Sequence, residues 1–324
     1  MTFKAPGKSH RKGMTLFEAY EKFATDQLAE AWFIETRWPD GVACPKCGSL
    51  NVQKRQSRKP QPFRCRDCRK DFSVKTDWIM HSSNVPLRKW AMAFLLISTS
   101  LKGVSSMKLH RDLGVSQKTA WHMLHRIRAA WDDNAAEEFA GPVEADETYM
   151  GGVEKNKHAS KRLNAGRGVV GKTPVAGLKD RATGKVKAEV VDRADVRTML
   201  PFVEGNTDKA ATIFTDGSPV YRDLWRDHEV VEHGVGEYVR GQAHTNGIES
   251  FWSMLKRGHT GTYHQMSRKH LHRYVSEFAG RHNLRQLDTD AQMAALVSAG
   301  EGKRLRYDDL VAPDGATPHK LQEG

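Results

Sequence analysis

The 324 residues carry 51 Lys and Arg against 39 Asp and Glu, a formal net charge of +12. That excess points to a polyanionic partner, most simply nucleic acid, and the length allows two or three domains. No apolar run approaches the roughly 18 residues a membrane span needs, and the basic N-terminus leads into no apolar core of a secretory signal. A cytoplasmic, nucleoid-associated protein with no membrane partner is expected.

Residues 1–40 read as a basic arm followed by a short helical segment. Leu16, Phe17, Tyr20, Phe23 and Ala24 recur at spacings of three and four, and Thr15 with Glu18 fits a capping box. A second helical run carries Leu28, Ala31, Trp32 and Ile34 and stops near Pro39 and Gly41.

All four cysteines fall in residues 41–80. Cys44 and Cys47 form one pair, Cys65 and Cys68 the other, with two residues inside each pair and 17 between the pairs. Such knuckles can aim four thiolates at one structural Zn²⁺, with the intervening residues forming the hairpin of a zinc ribbon. The competing disulfide reading is disfavoured in a reducing compartment. The segment is rich in Lys and Arg, so it can touch DNA phosphates; a purely structural module is the other reading.

Residues 85–135 form a helical block. A short helix from Ser106, a glycine turn at Gly114 and a longer helix capped by Ser116 give a helix-turn-helix pattern. Ala120, Leu124, Ile127 and Trp131 share its buried face. Gln117, Lys118, His122, His125 and Arg126 are left for a DNA groove or phosphate.

Residues 140–290 alternate strands and helices. A first strand ends with Asp146, beside Glu144 and Glu147. A basic loop over residues 153–172 follows, with Lys155, Lys157, Lys161 and Arg162 available to DNA. Strands at 174–178 and 186–191 form an antiparallel meander. A helix over 196–203 leads to a strand ending at Asp216, then a helix over 219–226 and a short strand over 229–233. Residues 246–257 read as a two-faced helix. Ile248, Phe251, Trp252 and Leu255 fall on one side; Asn246, Glu249, Ser253 and Lys256 fall on the other, with Arg257 adjoining. A last helix spans about 269–283, and residues 300–324 read as a polar, disordered tail.

Two aspartates at strand ends and a glutamate on a helix packed against the sheet make an oxygen-only pocket. Asp146, Asp216 and Glu249 in that arrangement suit two Mg²⁺ or Mn²⁺ ions, which can drive in-line attack on a phosphodiester. Asn246 is either a helix cap or a neutral oxygen ligand. Lys256 reads as a phosphate clamp against a plain surface lysine.

The order zinc ribbon, helix-turn-helix, Asp, Asp, Glu and a lysine seven residues later resembles the DDE transposases of bacterial insertion sequences. It is most similar to the Merlin-related, ISXO-type subgroup with an N-terminal zinc ribbon. The matching runs include 144–149 with Gly151 and Gly152, Lys157 and His158, 214–217, 244–257, 261–264, 270–274, Glu277 with Phe278, and Arg281 to Asn283. The resemblance implies an α/β, ribonuclease-H-like catalytic domain, a mixed five-stranded sheet with flanking helices. It also implies a transposase that cuts at element ends and joins them to target DNA, with Asp146, Asp216 and Glu249 holding two ions. Some relatives use asparagine as third ligand, and Asn246 is present; the charge of Glu249 and its spacing to Lys256 favour Glu249. The expected partner is double-stranded DNA, both the terminal inverted repeats, bound by the N-terminal modules and cut by the catalytic domain, and the target DNA, with a dimer or higher assembly on DNA. The rivals are a DNA-binding regulator without catalysis and a non-mobile nuclease of the same fold.

Overall fold

The computed structural model describes residues 10–55, 57–131, 138–152, 156–163, 168–224, 227–231 and 244–313. The chain divides into two compact units, residues 1–132 with 286–324, and residues 133–285.

The first unit begins with α1 (Leu16–Lys22) and α2 (Asp26–Arg37). The expected capping box at Thr15 and Glu18 is present: the Glu18 amide donates to the Thr15 hydroxyl and the Thr15 amide to the Glu18 carboxylate. A three-stranded antiparallel sheet follows, β1 (Val52–Lys54), β2 (Phe63–Cys65) and β3 (Asp71–Phe72). Trp38 lies edge-on to Phe63 and Phe72, so the small sheet closes its apolar side on the end of α2. Then come α3 (Leu87–Thr99), α4 (Ser106–Leu113) and α5 (Gln117–Ala129).

The unit is completed from far along the chain by α9 (Thr289–Ala299) and α10 (Tyr307–Val311). Met293, Leu296 and Val297 enter the same core as Phe33, Trp78, Trp90 and Phe94, and the Trp78 indole donates to the Val297 carbonyl at 2.9 Å. Residues 301–311, expected in the disordered tail, are therefore structured. The buried Arg37 guanidinium grips both carboxylate oxygens of Glu301 at 2.6 Å and the Val74 carbonyl at 2.6 Å.

The second unit is a five-stranded sheet in the order β6-β5-β4-β7-β8. Its strands are β4 (Val143–Met150), β5 (Thr173–Asp180), β6 (Val186–Val190), β7 (Ile213–Asp216) and β8 (His228–Val231). The first three form the expected antiparallel meander; β7 and β8 run parallel to β4 and to each other. This is the ribonuclease-H-like topology. One face packs α6 (Val196–Glu204) and Tyr221 over Val143, Ala145, Ala176 and Leu178. The other packs α7 (Asn246–Gly258) and α8 (Leu271–Asn283) over Val175, Val186 and Ala188. The helix expected over 219–226 is a single short turn at Pro219–Tyr221.

Several motif residues hold this scaffold. Asn283 closes two bonds on the backbone of Val186, its Oδ1 accepting at 2.7 Å and its Nδ2 donating at 2.9 Å, which covers the edge strand β6. The buried Glu277 accepts the Tyr263 hydroxyl at 2.8 Å and faces Arg281 at 3.3 Å.

Candidate functional site

The four cysteines converge. Cys44 and Cys68 have their sulfurs 3.6 Å apart, as do Cys47 and Cys65, and all four lie within 4.8 Å of one another as free thiols. A tetrahedral ZnS₄ centre with bonds of about 2.3 Å needs sulfurs about 3.8 Å apart, so the residues fit zinc. The two knuckles use the same turn. A left-handed residue follows the second cysteine of each, Gly48 at φ 72° and Arg69 at φ 58°. The Cys68 amide donates to the Cys65 sulfur and holds that thiol down to about 7.

In the second unit Asp146 and Asp216 stand on neighbouring parallel strands; Asp216 ends β7, whereas Asp146, expected at a strand end, lies midway along β4, which runs on to Met150 through its pairing with β5. Val143 pairs with Ile213 and Glu144 with Phe214; carried on by two residues, that register sets Asp146 level with Asp216. Asp146 is largely enclosed. Its Oδ1 accepts the Glu147 amide at 2.8 Å and its Oδ2 the Trp252 indole N–H at 2.9 Å. Burial first, and then the negative charges of Asp216 and Glu147, push its pKa up to about 7. Asp216 ends β7 and also turns the chain, accepting the Ser218 amide at 3.1 Å. Both sequence readings of this residue, strand end and turn former, hold at once.

Glu147 leaves β4 on the opposite face, as alternation requires. There it accepts the Tyr221 hydroxyl at 2.9 Å, and burial raises its pKa. Burial also drives the Tyr221 phenol well above its ordinary value. This acid–phenol pair against the aspartates is absent from the sequence reading, which gave Glu147 an ordinary role.

Burial along α7 follows the two-faced pattern: Ile248, Phe251, Trp252 and Leu255 are buried, while Asn246, Glu249, Ser253, Lys256 and Arg257 are exposed. Glu249 accepts the Thr245 hydroxyl at 2.9 Å. Among the described residues, the cysteines alone bring three or more His, Cys, Asp or Glu ligand atoms within 4.8 Å of one another. Glu249 therefore lies outside so tight a set with Asp146 and Asp216. Two contributors were missed. Glu144, 1% exposed, accepts the Ile248 amide at 2.7 Å and Arg181 Nε at 2.8 Å. Trp252 is the donor to Asp146. The available signal was chemical: a buried indole N–H needs an acceptor, and a charged residue within a strand needs a partner.

The helix pair of the first unit is as expected in outline. Gly114 ends α4 in the left-handed conformation, and Ser116 caps α5 through the Thr119 amide. Its anticipated contact residues are differently placed. Gln117 is exposed and donates to Ser106 Oγ at 3.0 Å. The Lys118 ammonium sits 4.2 Å from the Tyr307 ring centroid. His122 and Arg126 both engage the Leu305 carbonyl at 3.2 Å, and burial lowers the His122 pKa. His125 is fully buried, edge-on to Trp121. The segment around Leu305 and Tyr307 thus covers much of the face expected to meet DNA. In the loop after β4, Arg162 is exposed and its Nε donates to the Lys157 carbonyl at 3.0 Å. Lys155 and the Lys161 side chain lie outside the described residues.

Comparison with known proteins agrees with both units. Residues 138–283 match the ISXO2-like transposase domain, and residues 24–71 match the transposase zinc-ribbon domain. A protein encoded in the transposable element ISH50 of Halobacterium salinarum is 32% identical over 254 residues, covering 72% of this chain and 83% of the relative. No helix among the described residues is long and apolar enough to cross a membrane.

Proposed function

The chain belongs to the ISXO2-like transposase family, and from that premise we propose that it binds the terminal inverted repeats of its own element, cuts there, and transfers the ends into target DNA. The observation that carries the reading is the placing of Asp146, midway along β4, level with Asp216 at the end of the neighbouring parallel strand β7, where burial and mutual repulsion leave a strong demand for a cation. An oxygen-only donor set of this kind fits Mg²⁺ or Mn²⁺. Asp146 and Asp216 hold the ions, and Glu249 supplies the third carboxylate by giving up its bond to the Thr245 hydroxyl. Bound ions would activate the attacking water or 3′-hydroxyl and stabilise the leaving oxygen.

The chain's own groups do the rest. Asn246 offers a neutral oxygen on the same stripe as Glu249. Lys256 and Arg257, exposed beyond it, hold the scissile strand by its phosphates. Lys157 and Arg162 extend that contact along the backbone, joined by Lys155 and Lys161. In the first unit the zinc ribbon and the α4–α5 pair, through Gln117, Lys118, His122 and Arg126, recognise the repeat. Two copies on DNA hold the two ends for transfer.

The test is direct. The full-length protein is incubated with duplexes carrying its element ends in Mg²⁺, and the nicks are mapped. Nicks are expected at the element boundary for the wild type, with none for Asp146→Asn, which should still bind the duplex. Wild-type cutting by that variant, or no divalent-dependent cutting at all, overturns the reading.

A further inference from the structure

Helix α7 meets strand β4 at two points. Near its start, the Ile248 amide donates to Glu144 Oε2 at 2.7 Å; one turn on, the Trp252 indole donates to Asp146 Oδ2 at 2.9 Å. The spacings agree. Four helix residues advance about 6 Å, and two strand residues advance about 6.6 Å. The two bonds therefore suit one alignment of helix on strand, and a slip by one residue would rotate both donors away by about 100°.

Two glycines make the fit possible. A Cβ on Gly247 would lie 2.7 Å from Glu144 Oε2 and 2.8 Å from Lys179 Nζ. A Cβ on Gly177, the β5 partner of Asp146, would lie 2.5 Å from Trp252 Cη2. Glu144 also performs the work of a helix cap. The Thr245 side chain makes no capping bond to the α7 backbone, and its hydroxyl donates to Glu249 instead. The buried carboxylate from the neighbouring strand takes a first-turn amide in its place, where negative charge is favoured. Its charge is balanced by Arg181, which also binds the His244 carbonyl and lies 4.0 Å over the Phe214 ring.

We propose that Glu144 and Trp252 are positioning residues of the cutting centre, locking α7 at one offset along β4 and so fixing where Asn246 and Glu249 stand relative to Asp146 and Asp216. This rests on the ion-binding role given above to the three carboxylates.

The test uses full-length Glu144→Gln and Trp252→Phe. Phenylalanine keeps an aromatic ring on the apolar face of α7, and removes the indole donor together with the Cζ2–Cη2 edge that touches Gly177. Two readouts are taken: hydrogen exchange over residues 246–252 without added Mg²⁺ or Mn²⁺, and the Mn²⁺ dependence of nicking on an element-end duplex. Faster exchange is expected in the first turn of α7 for Glu144→Gln. In both variants the Mn²⁺ half-saturation should rise about 10–100-fold, the usual effect of removing a group that orients a metal ligand, with the rate largely recovered at saturating Mn²⁺. A lowered rate at unchanged half-saturation and unchanged exchange would mark a merely structural role and overturn the proposal, as would wild-type behaviour. If the wild type itself fails to nick, the transposase reading falls, while the exchange measurement still decides whether Glu144 holds the helix.

Discussion

Asp146→Asn should make the protein more stable at pH 8 while removing its activity. In the folded chain the carboxyl titrates at about 7 because it is buried beside Asp216 and Glu147; in the unfolded chain it titrates near 3.9. Below about pH 4 the group is protonated in both states and does not oppose folding. Between about 4 and 7 the unfolded chain has lost a proton that the folded one keeps, so stability falls as pH rises. Above about 7 the full penalty stands, roughly 3 units at 1.36 kcal/mol each, or about 4 kcal/mol. Asparagine can still accept the Trp252 indole bond, but its amide cannot accept both that N–H and the Glu147 N–H. Losing one bond removes about 1 kcal/mol, which leaves a net gain of about 2–3 kcal/mol. The assay is urea unfolding followed by hydrogen-exchange protection of β4 and β5 peptides, at pH 4.5 and pH 8, with the ribbon zinc retained and no other divalent ion added. Added Mg²⁺ should then stabilise the wild type at pH 8 and leave the variant nearly unmoved. Equal gains at both pH values, or no gain at pH 8, would refute the assignment of burial and like charge as the source of the shift.

Cys65→Ser should lower bound zinc from one per chain to none by native mass spectrometry. It should also abolish exchange protection in β1 to β3, since a structural zinc contributes on the order of 10 kcal/mol to such a module; a protected ribbon without zinc would contradict this. Tyr307→Ala removes the ring over Lys118 and the edge contacts with Trp121 and His122. Releasing a cation–π contact of about 0.5–1 kcal/mol should tighten binding to the element-end duplex about 2–5-fold, and unchanged or weaker binding would show that this face does not meet DNA. Gly177→Ala should destabilise the second unit by about 1–3 kcal/mol through overpacking against Trp252, seen as a lower urea midpoint for β5 peptides.

Much of the fold was legible because its signals are local. The cysteine spacing, the Thr15 and Glu18 box, the meander and the two-faced helix each follow from the side chains of one short stretch. What was illegible came from afar. Helix α9 buries Thr289, Gln292, Met293, Leu296 and Val297 at helical spacing, yet its remaining positions include Ala291, Ala294, Ala295 and Ala299, so no polar face sets the stripe off. Nothing local says that this helix belongs with Trp78 rather than with the unit preceding it. The same holds for α5. Its pattern gives a buried face correctly, but the cover provided by Leu305 and Tyr307 arrives from some 180 residues away, and it converts an apparently open face into a half-buried one.

The candidate site divides along the same line. Asp216 could be placed from sequence because it ends an apolar strand; Asp146 lies midway along β4, and the parallel register of β4 with β7, which no local signal gives, sets it level with Asp216. The helical contribution could not be fixed in that way. Asn246 and Glu249 lie three residues apart on one exposed stripe, so periodicity gives them the same face and cannot rank them. What ranks them is the offset of α7 along β4, and that offset is set by groups whose sequence positions look unremarkable: Glu144, read as an ordinary acid, and Trp252, read as part of an apolar face. A helix slipped by a full turn would keep its apolar face on the sheet, but it would lose the pairing of the Ile248 amide with Glu144 and of the Trp252 indole with Asp146. In this fold the apolar contacts decide that α7 packs on the sheet, and two hydrogen bonds to carboxylates of β4 decide where along the strand it stops.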